Sequence, residues 1–142
     1  MKPEQKELVR NTFAQILPIA EQAAALFYNR LFALAPEVKP LFKHNMEEQG
    51  RKLMQMIAIA VAHLDRLEEL IPAVQALGKR HGAYGVNSAH YATVGAALLW
   101  TLEQRLGDAF TPEVKEAWTT VYTVLADTMQ DAAAYAQPAA AD

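Results

Sequence analysis

LFYNRLFALAPEVKPLF, residues 26–42, reads as a buried helix face that runs into a break. Phe27, Tyr28 and Leu31, with Ala24 ahead of them, recur at spacings of three and four, the period of one apolar helical stripe. Pro36 disfavours a helical residue before it, so this helix is expected to stop near Ala35. The two prolines four apart in PEVKPLF then permit no more than a short, tight helical turn.

The same period extends in both directions. Upstream, Val9, Phe13, Ile16 and Leu17 form the buried face of a first helix, interrupted by Pro18. Downstream, Leu53, Met56, Ile57, Ala60 and Leu64 mark a long helix from Gln49, apolar around much of its circumference and expected to run through the middle of the molecule. Leu67, Leu70, Ile71, Val74, Leu77 and His81 form the next stripe, closed by Gly82 and Gly85. Asn87 or Ser88 can cap a helix carrying Tyr91, Val94, Leu98 and Leu102, which ends at Gly107 and Asp108. Thr111 and Pro112 open the last one, with Val114, Ala117, Trp118, Val121, Leu125 and Met129 on its face, and the tail AAAYAQPAAAD is expected to fray. No alternating run of strand length and no repeat period interrupts this pattern, so the fold class is all-α.

A chain of 142 residues, 52% of them hydrophobic, suits one domain that buries its own core. The formal charge of -3, with acids and bases interspersed, leaves no basic stripe for nucleic acid and no charge run for a membrane surface. The absence of cysteine excludes disulfides, thiolate catalysis, cysteine-ligated zinc, iron–sulfur clusters and covalent haem attachment, so any haem must be held non-covalently. The charged start and the polar interruptions at Gln55 and His63 argue against a signal peptide or a membrane span, and a cytoplasmic location is expected.

A helical stripe ending in histidine has two readings. His81 is either a core histidine with one satisfied nitrogen or a metal ligand. Its place in the last turn favours the ligand, because the ring can reach past the helix end while the Leu77 carbonyl accepts the other ring N–H. One imidazole is enough for haem iron, whereas structural zinc needs about four ligands, and His44, His63 and His90 show no paired spacing with His81. His63 lies on a buried helix without a glycine-rich exit, and His90 and His44 are expected to be structural or exposed. Tyr28 is either a core phenol bonded to backbone or a ligand-facing donor. Gln49 and Leu53, one turn apart, offer an amide and an apolar wall, against the plainer reading of a surface glutamine at a helix start. Residues 65–69, DRLEE, read as a solvated connection, and no nucleophile–base pair, phosphate loop or dinucleotide fingerprint is present.

LFYNRLFALAPEVKPLF, then Gln49 with Leu53, then GKRHGAYGVNSAHYATVG and finally EAWTTVYTVLAD resemble the bacterial single-domain haemoglobins and the globin part of flavohaemoglobins over nearly the whole chain. The resemblance implies a globin fold with a short or absent D helix, spanning residues 1–135, and a flexible tail at 136–142. It implies haem b, with His81 as proximal iron ligand and Phe42 packed on the haem. Tyr28 and Gln49 would be the distal polar pair and Leu53 their apolar neighbour, with Leu77, Tyr91 and Val94 as haem-pocket residues. Arg51, Lys52, Lys79 and Arg80 would be the candidate partners of the propionates. Gly50 beside Gln49 is expected to lend backbone freedom to the start of the distal helix.

Two departures from the family pattern bear on function. Ala133 stands where flavohaemoglobins carry a glutamate near the proximal histidine, and Asp131 is expected to face elsewhere, which weakens a peroxidase-like reading. The chain also ends after the globin part, so turnover would need electrons from a separate reductase. The expected function is reversible binding of dioxygen, and of carbon monoxide or nitric oxide, by a monomer or dimer. Nitric oxide dioxygenation is the enzymatic alternative, and a haem-free interaction or sensor domain is the third class.

Overall fold

A computed structural model describes residues 2–42, 45–83 and 88–136, and the side chains of all of these except 41, 78–83, 88 and 132–136. Helix α1 (Pro3–Ile16) buries Val9, Phe13 and Ile16 as the stripe requires. Leu17, expected on the same face, is 53% exposed. The reason is local: Leu17–Ile19 is a 3-10 turn around Pro18, and its tighter winding carries Leu17 off the stripe.

Helix α2 (Ala20–Leu34) buries Ala23, Ala24, Phe27, Tyr28 and Leu31, and ends at Ala35 as the prolines dictate. A 3-10 turn, Pro36–Leu41, follows. Helix α3 (Met46–Ala62) begins a turn earlier than expected, because Asn45 Oδ1 accepts the backbone N–H of Glu47 at 2.8 Å and of Glu48 at 3.3 Å. It is not enclosed on all sides. It packs mainly on α2 and α1, and Ile59 on its outer flank is 46% exposed.

The stripe from Leu67 to His81 is two elements, a 3-10 turn at Leu67–Leu70 and helix α4 (Ile71–Ala83). The change of winding leaves Leu70 and Val74 buried but Ile71 40% exposed. Gly82 does not close α4, which continues to Ala83, and the expected glycine and cap at Gly85 and Asn87 lie outside the described residues. Helix α5 (Ser88–Leu106) ends at Gly107, whose φ of 56° is a left-handed conformation that suits glycine. Helix α6 (Pro112–Ala136) opens on Thr111, whose hydroxyl accepts the Val114 N–H at 3.2 Å. It runs on into the alanine-rich tail, where alanine's helix propensity outweighs the lack of an apolar stripe. Residues 137–142, most of the expected tail, lie outside the described residues.

The helices pair as α1 with α6, α2 with α3 and α5, and α4 with α6. Val9, Phe13, Ile16, Trp118 and Val121 form one core cluster, tied by Trp118 Nε1–H donating to Thr12 Oγ1 at 2.9 Å. An apolar void of about 10 Å3, lined by Phe27, Leu53, Leu98 and Trp118 among others, is too small to absorb a displaced side chain. Among the described residues no helix is long and apolar enough to cross a membrane.

Candidate functional site

Tyr28 sits at the centre of an aromatic nest built by the break between α2 and α3. Its ring meets Phe27 at 4.9 Å and Phe42 at 5.4 Å, both edge-on, and Phe32 at 6.0 Å, while Phe32 and Phe42 meet at 5.4 Å. Such edge contacts lock the ring orientation as well as burying area. The residue is 6% exposed, and the Gln49 side chain stands beside its phenol. Burial raises the Tyr28 pKa above its ordinary value, and the Gln49 side chain offsets part of that rise. A neutral phenol is therefore present at neutral and mildly alkaline pH.

Gln49 lies a full turn inside α3, half-buried, which explains how it reaches Tyr28. Leu53, one turn further along α3, packs with Phe42 from the turn and Val94 from α5 against the Tyr28 cluster. Gly50 is buried, and a Cβ on it would stand 2.9 Å from Ala24 Cβ. Its role is close packing of two helices, not the backbone freedom expected from the sequence.

The remaining candidates are distributed around this cluster. His81 is on α4, two residues before Ala83, the last residue described there, and its ring lies outside the described residues, as do the Lys79 and Arg80 side chains and His44. Leu77 is half-buried on α4. Tyr91 is buried in the first turn of α5, its phenol pKa raised by desolvation, and its carbonyl accepts the Tyr122 O–H at 2.6 Å. Arg51 is exposed, and Lys52 is exposed 3.8 Å from Glu48. His63 ends α3 with Nδ1 2.8 Å from the Ile59 carbonyl and Nε2 4.0 Å from Glu69. Asp65 joins Lys6 at 3.0 Å and Arg10 at 2.8 Å, so DRLEE is a tie to α1 as well as a connection. Asp131 is exposed on α6, and the Ala133 side chain lies outside the described residues.

Sequence reasoning missed Phe32, Ala24 with Gly50, and Tyr122 with Gly95, where a Cβ would stand 2.8 Å from the Tyr122 ring. Phe32 was discernible as the residue one turn beyond Tyr28. The two glycine contacts join helices distant in sequence and carry no local signal.

A planar, mostly apolar cofactor needs apolar walls and few competing charges. Phe42, Leu53 and Val94 provide partly exposed apolar surface against the neutral Tyr28–Gln49 pair, and among the described residues no group of three acidic or histidine side chains is placed to hold a bare metal ion. These apolar walls suit the faces of a porphyrin.

Comparison with known proteins agrees. The flavohaemoprotein of Bordetella parapertussis is 34% identical, matching 100% of this chain and 37% of its own length. That of Vibrio cholerae is 35% identical over 85% of this chain and 32% of its own. The chain thus spans about a third of the length of these curated relatives. A bacterial globin from Campylobacter jejuni superposes with a TM-score of 0.82 at 27% identity, over 94% of this chain and 97% of that one. An engineered carbene transferase from Rhodothermus marinus, at 24% identity and a TM-score of 0.89 over 100% and 99% of the two chains, shares the fold. The family model described as Globin matches residues 25–129, from α2 with Tyr28 through most of α6, and the chain accordingly belongs to the globin family, whose members bind small gases at a haem.

Proposed function

We propose that the protein reversibly binds dioxygen, in the cytoplasm, at a non-covalent haem b with His81 as the one protein ligand to iron. The observation that carries this reading is the Tyr28 phenol buried in an apolar aromatic nest with the Gln49 side chain beside it. Haem iron supplies reversible coordination of a diatomic gas. Phe42 packs on the porphyrin, Leu53 walls the distal side, and Leu77, Tyr91 and Val94 line the pocket. Arg51, Lys52, Lys79 and Arg80 are the candidates for the propionates.

Bound dioxygen carries partial negative charge, so a neutral phenol and an amide that converge on it favour retention by roughly 1 to 3 kcal/mol each in a dry site. Carbon monoxide is less polar and gains less. Tyr28→Phe and Gln49→Ala are expected to speed oxygen release from the reduced protein at least tenfold and carbon monoxide release far less. Equal effects on both gases would count against direct donation. The Soret band of the purified protein should shift on reduction and again with carbon monoxide, and His81→Ala should abolish or alter it. A colourless protein that takes up no haemin would overturn the reading.

A second reading follows from the flavohaemoprotein relatives, whose name joins a flavin to the haem. A gas-binding chain supplied with electrons by a separate reductase could convert nitric oxide, dioxygen and one electron to nitrate. Repeated turnover with an added reductase would support it, and one stoichiometric burst would not.

A further inference from the structure

We propose that Ala24 and Gly50 form a one-methyl spacer that sets the distance between Tyr28 and Gln49, making both positioning residues for oxygen retention. The inference rests on the distal reading of that pair.

At the crossing of α2 and α3, Ala24 supplies the single Cβ between the two backbones. A second Cβ on Gly50 would come within 2.9 Å of it, where non-bonded carbons settle at about 3.5 to 4.0 Å. Neither side has a way to yield. Ala24 is buried, and its methyl has no rotamer that points elsewhere. Glycine is also a poorer helix former than alanine, so its presence inside α3 runs against local preference and with the close crossing.

The crossing lies one turn from Tyr28 and next to Gln49. Ala24 precedes Tyr28 by four residues on the same face of α2, and Gly50 follows Gln49 directly in α3. Relieving the overlap would move the helices apart by about 0.5 to 1 Å. A hydrogen bond made near 2.9 Å no longer counts as one by about 3.6 Å. A methyl added at the crossing is thus enough to move Tyr28 and Gln49 apart by more than a hydrogen bond tolerates, without touching either side chain.

The test uses the haem-loaded protein as Gly50→Ala, as the Ala24→Gly/Gly50→Ala double variant, and as Tyr28→Phe. Gly50→Ala should speed oxygen release about tenfold and change carbon monoxide release less than about twofold. Its crystal structure should show a widened Tyr28 Oη to Gln49 separation. The double variant has one methyl again and should restore both the separation and the oxygen rate to within about threefold of the parent. It keeps the inference testable even where Gly50→Ala alone fails to fold. Gly107→Ala, strained at its left-handed φ with nothing within 4 Å of its Cβ, controls for lost stability and should leave the ratio of the two rates unchanged. If Tyr28→Phe speeds oxygen release while Gly50→Ala does not, or if the double variant stays as fast as the single one, the spacer is wrong and the distal pair stands. If Tyr28→Phe has no effect, the distal reading itself falls.

Discussion

Tyr28 is kept protonated by burial, and its partner Gln49 does not titrate, so the proposed donor pair has no switch near neutrality. The oxygen dissociation rate is therefore expected to stay flat between about pH 6 and 9. A steep change across that range, measured by stopped flow, would place another ionising group in contact with the gas. Thr12 shows the same logic in the core. Its hydroxyl donates to the Leu8 carbonyl at 2.7 Å and accepts Trp118 Nε1–H at 2.9 Å, so one small polar group satisfies a buried indole. Thr12→Val keeps the volume and strands that N–H. The expected loss is about 1 to 3 kcal/mol in urea denaturation, and a loss below about 0.5 kcal/mol would show that the indole finds another acceptor.

Among the elements, α5 and α6 meet where Gly95 has no side chain. The Tyr122 ring fills that space, and its O–H reaches the Tyr91 carbonyl. Gly95→Ala should cost about 1 to 3 kcal/mol by displacing the ring, and much less in a Tyr122→Ala background where no ring is present. Equal costs in both backgrounds would mean that the ring is not what the glycine accommodates. Helix starts were more legible than helix faces. Thr111 was read correctly as a cap, because capping depends on neighbours two or three residues away. Leu17 and Ile71 were misplaced because a 3-10 turn next to a helix shifts the angular register by an amount that residue spacing does not reveal.

Over the whole molecule, ionic and titrating groups set opposite limits on stability. Asp65 links the α3–α4 connection to α1, and its hydrogen bonds with Lys6 and then Arg10 hold its pKa below the usual value of 3.8. A depressed carboxyl contributes stability above its unfolded pKa and loses it as pH falls through the folded one. The group is exposed, so the effect is expected to be small and to weaken with salt. Asp65→Asn should be slightly less stable than the parent at neutral pH, with the gap closing in acid. Tyr28, Tyr91 and Tyr122 act in the reverse sense, their pKa values raised by burial. Their contribution is complete below the ordinary tyrosine value of 10.0 and is lost as pH rises through the higher folded values. Thermal melts should therefore drop steeply above about pH 10, less so for Tyr122→Phe.

The amino-acid order alone determined the all-α class, the stop at Ala35 and the tight turn at PEVKPLF. Each follows from backbone sterics or from a period that neighbouring residues carry. Tertiary structure alone decided that Gln49 stands beside Tyr28, that α3 keeps a solvent flank, that Asp65 reaches α1, and that Gly50 and Gly95 lie at close helix contacts. These are contacts between segments far apart in the chain. Their distances depend on how closely whole helices approach, a quantity that side-chain volume at each crossing sets and no local period encodes.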